Sequence, residues 1–360
     1  MKTIDRYIAK KYLVTFFVSL TLIIAIAVVF DISEKVDDFL GRRGKVPPLK
    51  EIVLVYYANF IPYFASLFAP LFAFISVIYF TSRMAARSEI VAILASGVSY
   101  RRFLAPFMGS AIFVAIFLAI IGNFVVPTSN KKKSAFEREY FGHGTYNPRN
   151  LHRQISPGQF LYIEYWNNEN MNGQKLSIEQ FEGKNMISKL MAYSVIYDTL
   201  HQRWTLVDYM VRRAADNGDR IYTATQVDTL LPFSPEIFQV MNRDISTMDY
   251  FQLNEFVENE KASGSSYIDL YLIEKYKRWS NPFSTIILTL IAVPLAGRKV
   301  RGGIGLNIAM GIGLGFSYIF FDKVAVTYAV NGTMSPFIAA WLPNVFFFFV
   351  GLYLARTAQR

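Results

Sequence analysis

The sequence contains no cysteine, and only three of its 360 residues are histidine, namely His143, His152 and His201. The absence of cysteine excludes disulfides, thiolate metal sites and cysteine nucleophiles. No HExxH motif or suitably spaced carboxylate accompanies the histidines, so we predict no metal site and interpret them as surface or sandwich residues. A GxSxG elbow and a convincing serine–lysine pair are also missing. We therefore predict no catalytic residues.

A phosphate-binding loop of the GxxxxGK[ST] type is also absent from the sequence. The stretch GRRGK at residues 41–45 lacks both the spacing and the strand–helix context of such a loop. The glycines at residues 302–315 lie in an apolar run that no strand precedes, which argues against a nucleotide fingerprint. We expect this chain to bind no cofactor. If it takes part in active transport, ATP and Mg²⁺ would be used by a separate ATPase chain.

Charged residues are scarce as well, at 18% against the quarter that is usual for soluble domains. In contrast, 53% of the residues are hydrophobic and 16% are aromatic. A membrane-spanning helix needs about 20 consecutive, mostly apolar residues, and six runs meet that need. They are Tyr12–Phe30, Ile52–Phe80, Phe103–Val126, Trp279–Leu295, Ile304–Val326 and Pro336–Leu354. We therefore predict an integral membrane protein with six spans.

Lysine and arginine are concentrated in alternate loops, as expected for loops that face the cytoplasm. If the N-terminus is inside, the cytoplasmic segments contain Lys2, Arg6, Lys10, Lys11, Arg83, Arg87, Arg101, Arg102, Arg298, Lys299, Arg301, Arg356 and Arg360. The last outer loop, Thr327–Ser335, has no charge. We predict that both termini are cytoplasmic and that the long insert after the third span is extracytoplasmic. The net charge of +10 is attributed to these loops rather than to nucleic-acid binding.

The insert, residues 128–267, has a different composition from the spans. It begins with a polar stretch that we predict to be helical, Asn130–Tyr140. Short segments that mix β-branched and aromatic residues with polar ones follow, separated by turn signals. They include Gln159–Tyr165, Leu190–Tyr197, Trp204–Val211 and Arg220–Leu230. Strands at this spacing indicate an antiparallel sandwich or jelly roll.

The predicted fold is therefore an α-helical membrane protein with six transmembrane helices in a 3+3 arrangement and an inserted extracytoplasmic all-β jellyroll domain. The predicted domains are residues 1–127 with the first three spans, residues 128–267 with the β domain, and residues 268–360 with the last three spans.

A polar interruption, Thr81–Arg102, separates the second and third spans. Its pattern predicts a helix at about residues 83–97, with Gly97 as a stop signal and Ser99 as the cap of the next helix. Arg83, Arg87 and Glu89 lie on its polar sides, and its apolar residues are Ile90, Val91, Ile93 and Leu94. A basic segment between two spans offers a docking surface to a cytosolic partner.

Two basic clusters follow spans that leave the membrane on the predicted outer side. Their members are Lys35, Arg42, Arg43, Lys45, Lys131, Lys132, Lys133 and Arg138. At the depth of lipid head groups such residues can contact anionic phosphates through charge-assisted hydrogen bonds. The alternative is a solvated face, and neighbouring acidic residues dilute the first cluster.

The fifth span contains a small-xxx-small pair, Gly311 and Gly315, which lets helices approach closely. This pattern fits packing inside the chain or packing against a second subunit, and both alternatives stay open. Asp322 and Lys323 lie near the outer end of the same span. They either face the protein interior or extend to the membrane surface.

Five stretches of the chain resemble the LptF/LptG permease family. They are IDRYIAKKYLVTFF at residues 4–17, ARSEIVAILASGVS at 86–99, PFSTIILTLIAVPLAG at 282–297, GLNIAMGIGLGFSYIFFD at 305–322 and PFIAAWLPNVFFFFVGLYL at 336–354. The resemblance covers the whole chain, and its opening and ending look more like the LptG branch. It implies a permease that pairs with a second member of the family and recruits a dimeric LptB-like ATPase.

The resemblance also implies that lipopolysaccharide is extracted from the inner membrane and passed through the jellyroll to an LptC-like bridge protein. The segment with Glu89 looks like the family's coupling helix, so Glu89 would meet a basic group of the ATPase while Ile90, Ile93 and Leu94 fill an apolar groove. The alternative for Glu89 is a local pair with an arginine. In some members lysines lie where this chain has Asp31, and Lys35 is a candidate substitute one turn later.

We therefore predict the permease subunit of an ATP-driven lipopolysaccharide exporter, located in the bacterial inner membrane. The alternative is a membrane sensor or scaffold that transports nothing and whose outer sandwich binds a partner protein. Such a protein would need neither an ATPase nor a second permease.

Overall fold

A computed structural model describes residues 3–42, 44–141, 147–215, 218–239, 245–265, 267–298 and 303–358. The helices before the insert are α1 (Thr3–Glu34), α2 (Val36–Phe39), α3 (Leu49–Glu51), α4 (Ala58–Ala86), α5 (Glu89–Ala95), α6 (Tyr100–Ile120) and α7 (Val126–Tyr140). Those after the sheet are α8 (Glu236–Gln239), α9 (Tyr250–Ala262), α10 (Ile268–Ala296), α11 (Gly303–Val330) and α12 (Pro336–Thr357). The π-helical turns Ile52–Tyr57 and Ile121–Val125 connect α3 to α4 and α6 to α7.

Six helical stretches are long and apolar enough to cross a membrane, which confirms the predicted spans. They are Thr3–Glu34, Leu49–Ala86, Tyr100–Tyr140, Ile268–Ala296, Ile304–Val330 and Pro336–Thr357. Helices suit this environment because all of their backbone hydrogen bonds are made within the segment. The third stretch, at 41 residues, continues through the π-helical turn into the polar helix predicted at residues 130–140.

The spans share one apolar core. Helix α1 packs against α4 and α6, and α11 packs against α4 and α12. Buried side chains from all six spans meet in this core, among them Phe16, Phe74, Phe107, Ile291, Tyr318 and Phe347. Helix α10 is the most enclosed span, because 72% of its most apolar stretch is buried.

The insert contains one antiparallel sheet of six strands in the order β1 to β6. The strands are β1 (Arg149–Ser156), β2 (Gln159–Asn167), β3 (Asn172–Glu182), β4 (Asn185–Asp198), β5 (Arg203–Arg213) and β6 (Arg220–Thr229). Each strand pairs with its sequence neighbours, so the described strands contain no crossover connection. The predicted β domain inserted between helices is confirmed as one antiparallel sheet, and α8 and most of α9 lie in the same unit, so this unit is not all-β. Four of its strands coincide with the predicted segments. Strands β1 and β3 were not predicted from the sequence, and their residues carry fewer apolar side chains.

Residues 143–245 and 251–268 form one compact unit, distinct from the unit that contains the spans. Its core lies on one face of the sheet, around Trp166, Trp204 and Phe238, each at most 1% exposed. The indole N–H of Trp204 donates to the carbonyl oxygen of Phe233 at 3.1 Å, which satisfies the buried polar atom of this ring. Arg153 pairs with the buried Glu260 at 2.7 Å in the same unit.

Candidate functional site

The segment between the second and third spans contains a short helix, α5, which is shorter than the helix predicted at about residues 83–97. Helix α4 continues to Ala86, so Arg83 lies on α4, and α5 begins only at Glu89. The preceding residue, Ser88, has a φ of +60°, and the following Gly97 has a φ of +86°. Glycine adopts that φ without strain, which suits it to ending the helix. The hydroxyl of Ser99 then accepts a hydrogen bond from the backbone N–H of Arg102 at 3.3 Å. The predicted stop and cap are therefore confirmed.

The side chain of Ile90 faces the interior of the chain, which corrects the prediction that it fills an apolar groove of the ATPase. Ile90 is only 4% exposed, and its Cδ1 lies 3.8 Å from the position that a Cβ on Gly297 would occupy. Ile90 therefore packs in the chain's own core and does not present its side chain to a partner. Ile93 and Leu94 are half-buried and pack against the same core. The outward apolar side chain is that of Val91, which is 65% exposed.

The charged residues of this segment lie at its surface. Arg83 and Arg87 are exposed. Glu89 accepts a hydrogen bond from the Tyr7 hydroxyl at 3.2 Å, and its other oxygen lies 3.9 Å from Nη1 of Arg87. The local pair considered as the alternative for Glu89 is thus present. We refer to the exposed residues Arg87, Val91, Ala92 and Ala95 as the α5 surface.

Lys35, predicted as a phosphate contact, is enclosed in a polar network that joins α1, the turn that precedes α4, and α7. Its ammonium group donates to the hydroxyl of Tyr56, lies 3.0 Å from Oε1 of Glu137 and lies 3.4 Å from Oδ1 of Asp31. The Asp31 carboxylate also accepts hydrogen bonds from Tyr56 and Tyr57, each at 3.2 Å. Asp31 and Lys35 therefore hold the end of the first span against its neighbours.

The other basic residues of the two clusters differ in their surroundings. Those exposed on α7 are Lys131, Lys132 and Arg138. Lys133 is half-buried, with its ammonium group 3.7 Å from Glu137. Arg42 is exposed and pairs with Asp37 at 2.6 Å, and Arg43 lies outside the described residues.

Gly311 and Gly315 pack against the second span of the same chain. A Cβ on Gly311 would lie 2.1 Å from Cδ1 of Ile78, and one on Gly315 would lie 2.8 Å from Cδ1 of Leu71. Both glycines thus let α11 approach α4 closely. Of the two alternatives that the sequence left open for Gly311 and Gly315, packing against a second subunit and packing inside the chain, these contacts match packing inside the chain.

A largely buried polar network among the last three spans was not predicted from the sequence. Nζ of Lys277 lies 2.5 Å from Oδ2 of Asp322, and both side chains are 15% exposed. Nearby, Tyr318 donates to Asn344, which itself donates to the carbonyl oxygen of Ser280. Asp322 therefore faces the protein interior. The signal in the sequence was Asp322, an ionisable residue in an apolar span, where charges are rarely left unpaired. Its partner Lys277 lies just before the predicted span Trp279–Leu295.

The second face of the sheet carries partly exposed apolar side chains. Phe160, Tyr162 and Met191 point away from the buried Leu161 and Ile163, because side chains alternate along a strand. Phe160 is 41% exposed and Met191 is 39% exposed. A cavity of about 140 Å³ lies among Phe160, Tyr162 and their neighbours. In the part of the chain that the structure describes, no group of three or more potential metal ligands is found.

The similarity of this chain to known proteins extends over both the spans and the insert. Residues 6–357 match the family described as lipopolysaccharide export system permease LptF/LptG. The chain is 24% identical over 363 residues to the lipopolysaccharide export system permease protein LptG of Escherichia coli strain K12, covering 98% of this chain and 97% of that protein. The LptG protein of Escherichia coli O6:H1 strain CFT073 matches with the same identity and coverage. This match includes the six spans, the inserted sheet and the segment at α5. The chain is therefore a member of the LptF/LptG family of lipopolysaccharide export system permeases.

Proposed function

We propose that this chain is the permease subunit of an ATP-driven lipopolysaccharide exporter, in which a separate dimeric ATPase hydrolyses ATP and uses Mg²⁺. Its further partners would be a second LptF/LptG-family permease and an LptC-like bridge protein. Membership of the family and the names of the relatives support the transport role. The absence of a phosphate-binding loop from the sequence favours an ATPase on another chain.

The proposed coupling between the ATPase and the spans rests on the arrangement of α5. The helix presents the α5 surface outward, with Glu89 at its first turn, and inserts Ile90 into the core shared with the spans. A partner that displaces this surface would also displace Ile90, and close-packed cores transmit such shifts. ATPase closure would thereby move the spans and push the lipid outward.

The test is the charge reversal Glu89→Arg in the assembled complex. We expect loss of co-purification with the ATPase, or ATP hydrolysis that no longer drives lipopolysaccharide release. Glu169→Arg, an exposed acid in the β insert, is the matched control. Tyr7→Phe removes the hydroxyl that bonds to Glu89 inside the chain and should leave coupling intact. Normal ATPase binding and lipid release by Glu89→Arg, or an equal defect in Tyr7→Phe, would contradict the proposal.

The orientation follows from the same proposal, with both termini and α5 in the cytoplasm and the sheet in the periplasm of a bacterial inner membrane. The cysteine-free sequence makes this simple to test. Single cysteines at Ser96, after α5, and at Leu200, which is 89% exposed at the β4–β5 turn, should react differently with an impermeant maleimide. In spheroplasts we expect labelling at position 200 and not at position 96. The reverse pattern would overturn the orientation.

We also propose that the lipid meets basic residues first and the sheet afterwards. Because Lys35 and Lys133 lie in the ionic network at the end of the first span, the exposed Lys131, Lys132 and Arg138 with Arg42 are the better placed phosphate contacts. Acyl chains would then follow the face of the sheet with Phe160 and Tyr162. A photoreactive residue at either position should crosslink to lipopolysaccharide when ATP is present, whereas Leu200 at the turn should not. Equal crosslinking at all three positions would contradict this path.

A further inference from the structure

The cavity of about 140 Å³ on the second face of the sheet is built by the register of strands β1 to β4. We refer to it as the sheet pocket. Two rows of residues that lie opposite one another on neighbouring strands line it, namely His152–Tyr162–Ser177 and Phe160–Glu179–Lys189. Residues two apart on a strand share a face, so both rows lie on the same side of the sheet.

The sheet pocket has the size of one six-membered ring. A cavity of about 150 Å³ is large enough for benzene, whereas one water molecule takes about 30 Å³. The side chains of His152 and Phe160 are exposed, so groups attached to a bound ring can extend past them into solvent. The pocket therefore accommodates one ring of a larger molecule.

One wall of the pocket contains a buried hydroxyl group without a hydrogen-bond partner. Ser177 is 8% exposed, and within the described residues its Oγ makes no hydrogen bond. A buried hydroxyl that stays unpaired costs free energy, and the large majority of such groups in proteins are paired. Because Ser177 lines the pocket, its hydroxyl indicates a ligand that supplies a polar atom at this point.

The charged residues of the pocket form a pair of opposite sign. Nζ of Lys189 lies 2.6 Å from Oε1 of Glu179, and the two side chains are 29% and 31% exposed. A phosphate is disfavoured, because the lysine is already paired and the carboxylate would repel a second negative charge. A hydrocarbon chain is also disfavoured, since it would remove water from both charges and leave Ser177 unpaired. A neutral group with hydroxyls fits, because a hydroxyl donates to a carboxylate and accepts from an ammonium group.

The remaining walls of the pocket are aromatic. The ring centroids of His152 and Tyr162 lie 4.5 Å apart, and the Tyr162 hydroxyl donates to Oδ1 of Asn150 at 3.1 Å, so the tyrosine ring is held at both ends. Phe160 packs edge-on against Phe181, with centroids 5.8 Å apart. The face of an aromatic ring is negative and attracts C–H groups. A sugar ring has a C–H face and hydroxyls at its rim, and therefore matches both kinds of wall.

We propose that the sheet pocket binds one six-membered sugar ring, with its C–H face on Tyr162 and its hydroxyls on Ser177, Glu179 and Lys189. This inference rests on the proposed function, because it takes the sugar to be part of the exported lipid rather than of a soluble glycan. The first row continues across the sheet with Met191 and Met210, which would contact the acyl chains. The sheet would thus hold both parts of the lipid.

The test is saturation-transfer difference NMR on the full chain with its co-purifying partners in detergent. The probe is the saccharide of lipopolysaccharide after chemical removal of its acyl chains and phosphate groups. We expect signals from the C–H protons of the sugar rings, and binding about three- to tenfold weaker in Ser177→Ala, the loss of one hydrogen bond. The thermal unfolding midpoint of this variant should not fall, because the lost hydroxyl has no partner inside the chain. A purely structural role of Ser177 would not separate binding from stability in this way.

A second ion pair of the sheet supplies the matched control. Glu164 and Lys175 also pair across two strands at 2.6 Å, but they lie outside the pocket. Glu179→Gln should weaken binding of the saccharide, whereas Glu164→Gln should leave it unchanged. Intact lipopolysaccharide should displace the saccharide, which identifies the lipid as the source of the sugar.

Three outcomes would each overturn the proposal: no saturation transfer to the saccharide, equal binding by Ser177→Ala and the unmodified chain, or failure of intact lipopolysaccharide to displace the saccharide. The last result would assign the pocket to a soluble glycan. If lipopolysaccharide still crosslinks from position 160 or 162, the proposed function stands although the sugar site does not. Loss of that crosslink as well would count against the proposed function.

Discussion

The substitution Gly311→Ala tests how closely α11 approaches α4. The new Cβ would lie 2.1 Å from Cδ1 of Ile78, a side chain that is 0% exposed and thus has little room to move. Overpacking of this kind costs about 1–3 kcal/mol. Alanine also gains about 0.5–1 kcal/mol over glycine within a helix, which partly offsets that cost. Gly313→Ala has the same gain but meets nothing within 4 Å. We therefore expect Gly311→Ala to be less stable than Gly313→Ala by about 1–3 kcal/mol.

The measurement is reversible unfolding of the purified chain in mixed micelles, followed by tryptophan fluorescence. Ile78→Val supplies an internal check, because it removes the Cδ1 atom and leaves Cγ1 and Cγ2 at 3.4 and 3.7 Å, an ordinary contact distance. Alone it should cost about 0.5–1.5 kcal/mol. In that background the penalty of Gly311→Ala should largely disappear, giving a coupling energy of about 1–3 kcal/mol in a double-mutant cycle.

Equal stability of Gly311→Ala and Gly313→Ala, with no coupling to Ile78→Val, would refute this reasoning. That result would mean that the glycines of α11 do not face α4 in solution. Contact with a second subunit would then explain the pair Gly311 and Gly315 better than packing inside the chain.

Three further perturbations follow from contacts of single residues. Lys277→Met leaves the largely enclosed Asp322 without its cation and should lower the free energy of unfolding, by about 3–5 kcal/mol at most, the loss for a fully buried pair, and the double variant with Asp322→Leu should largely recover it. Ser99→Ala removes the cap of α6 and should cost about 1 kcal/mol, detected as faster amide exchange in its first turn. Hydrogen bonds from His201 and from the Leu200 backbone lower the pKa of Asp198 from its ordinary value of 3.8, so the β4–β5 turn is stabilised above that pH and loosens as the pH falls below it. Proteolysis at this turn should rise in acid for the unmodified chain but not for Asp198→Asn.

The spans were predictable because the membrane restricts the alternatives. An apolar run of about 20 residues in lipid must satisfy its own backbone, and a helix does so locally. The end of α5 at Gly97 and the cap at Ser99 were also predictable, since both depend on the conformational preferences of single residues. By contrast, β1 and β3 were missed, because a strand is stabilised mainly by its neighbours across the sheet.

Side-chain partners were much less predictable. Ile90 and Val91 are adjacent, and both are β-branched, so their local preferences do not say which of them faces the core. Lys35 belongs to a basic cluster in the sequence, but its partners Tyr56 and Glu137 are 21 and 102 residues away. Contacts over such separations depend on how the helices pack, which local patterns do not encode.

By itself, the sequence determined that this protein is a six-span membrane protein with an inserted β domain, and its motifs identified its family. These properties depend on local hydrophobicity, on turn signals and on residues in fixed order along the chain. The tertiary structure decided which charges are enclosed and which face of α5 is exposed. It also decided that Gly311 and Gly315 of the fifth span pack against the second span. The physical reason is that these features arise from the fit of helix surfaces, where one side chain's burial depends on atoms contributed by distant segments.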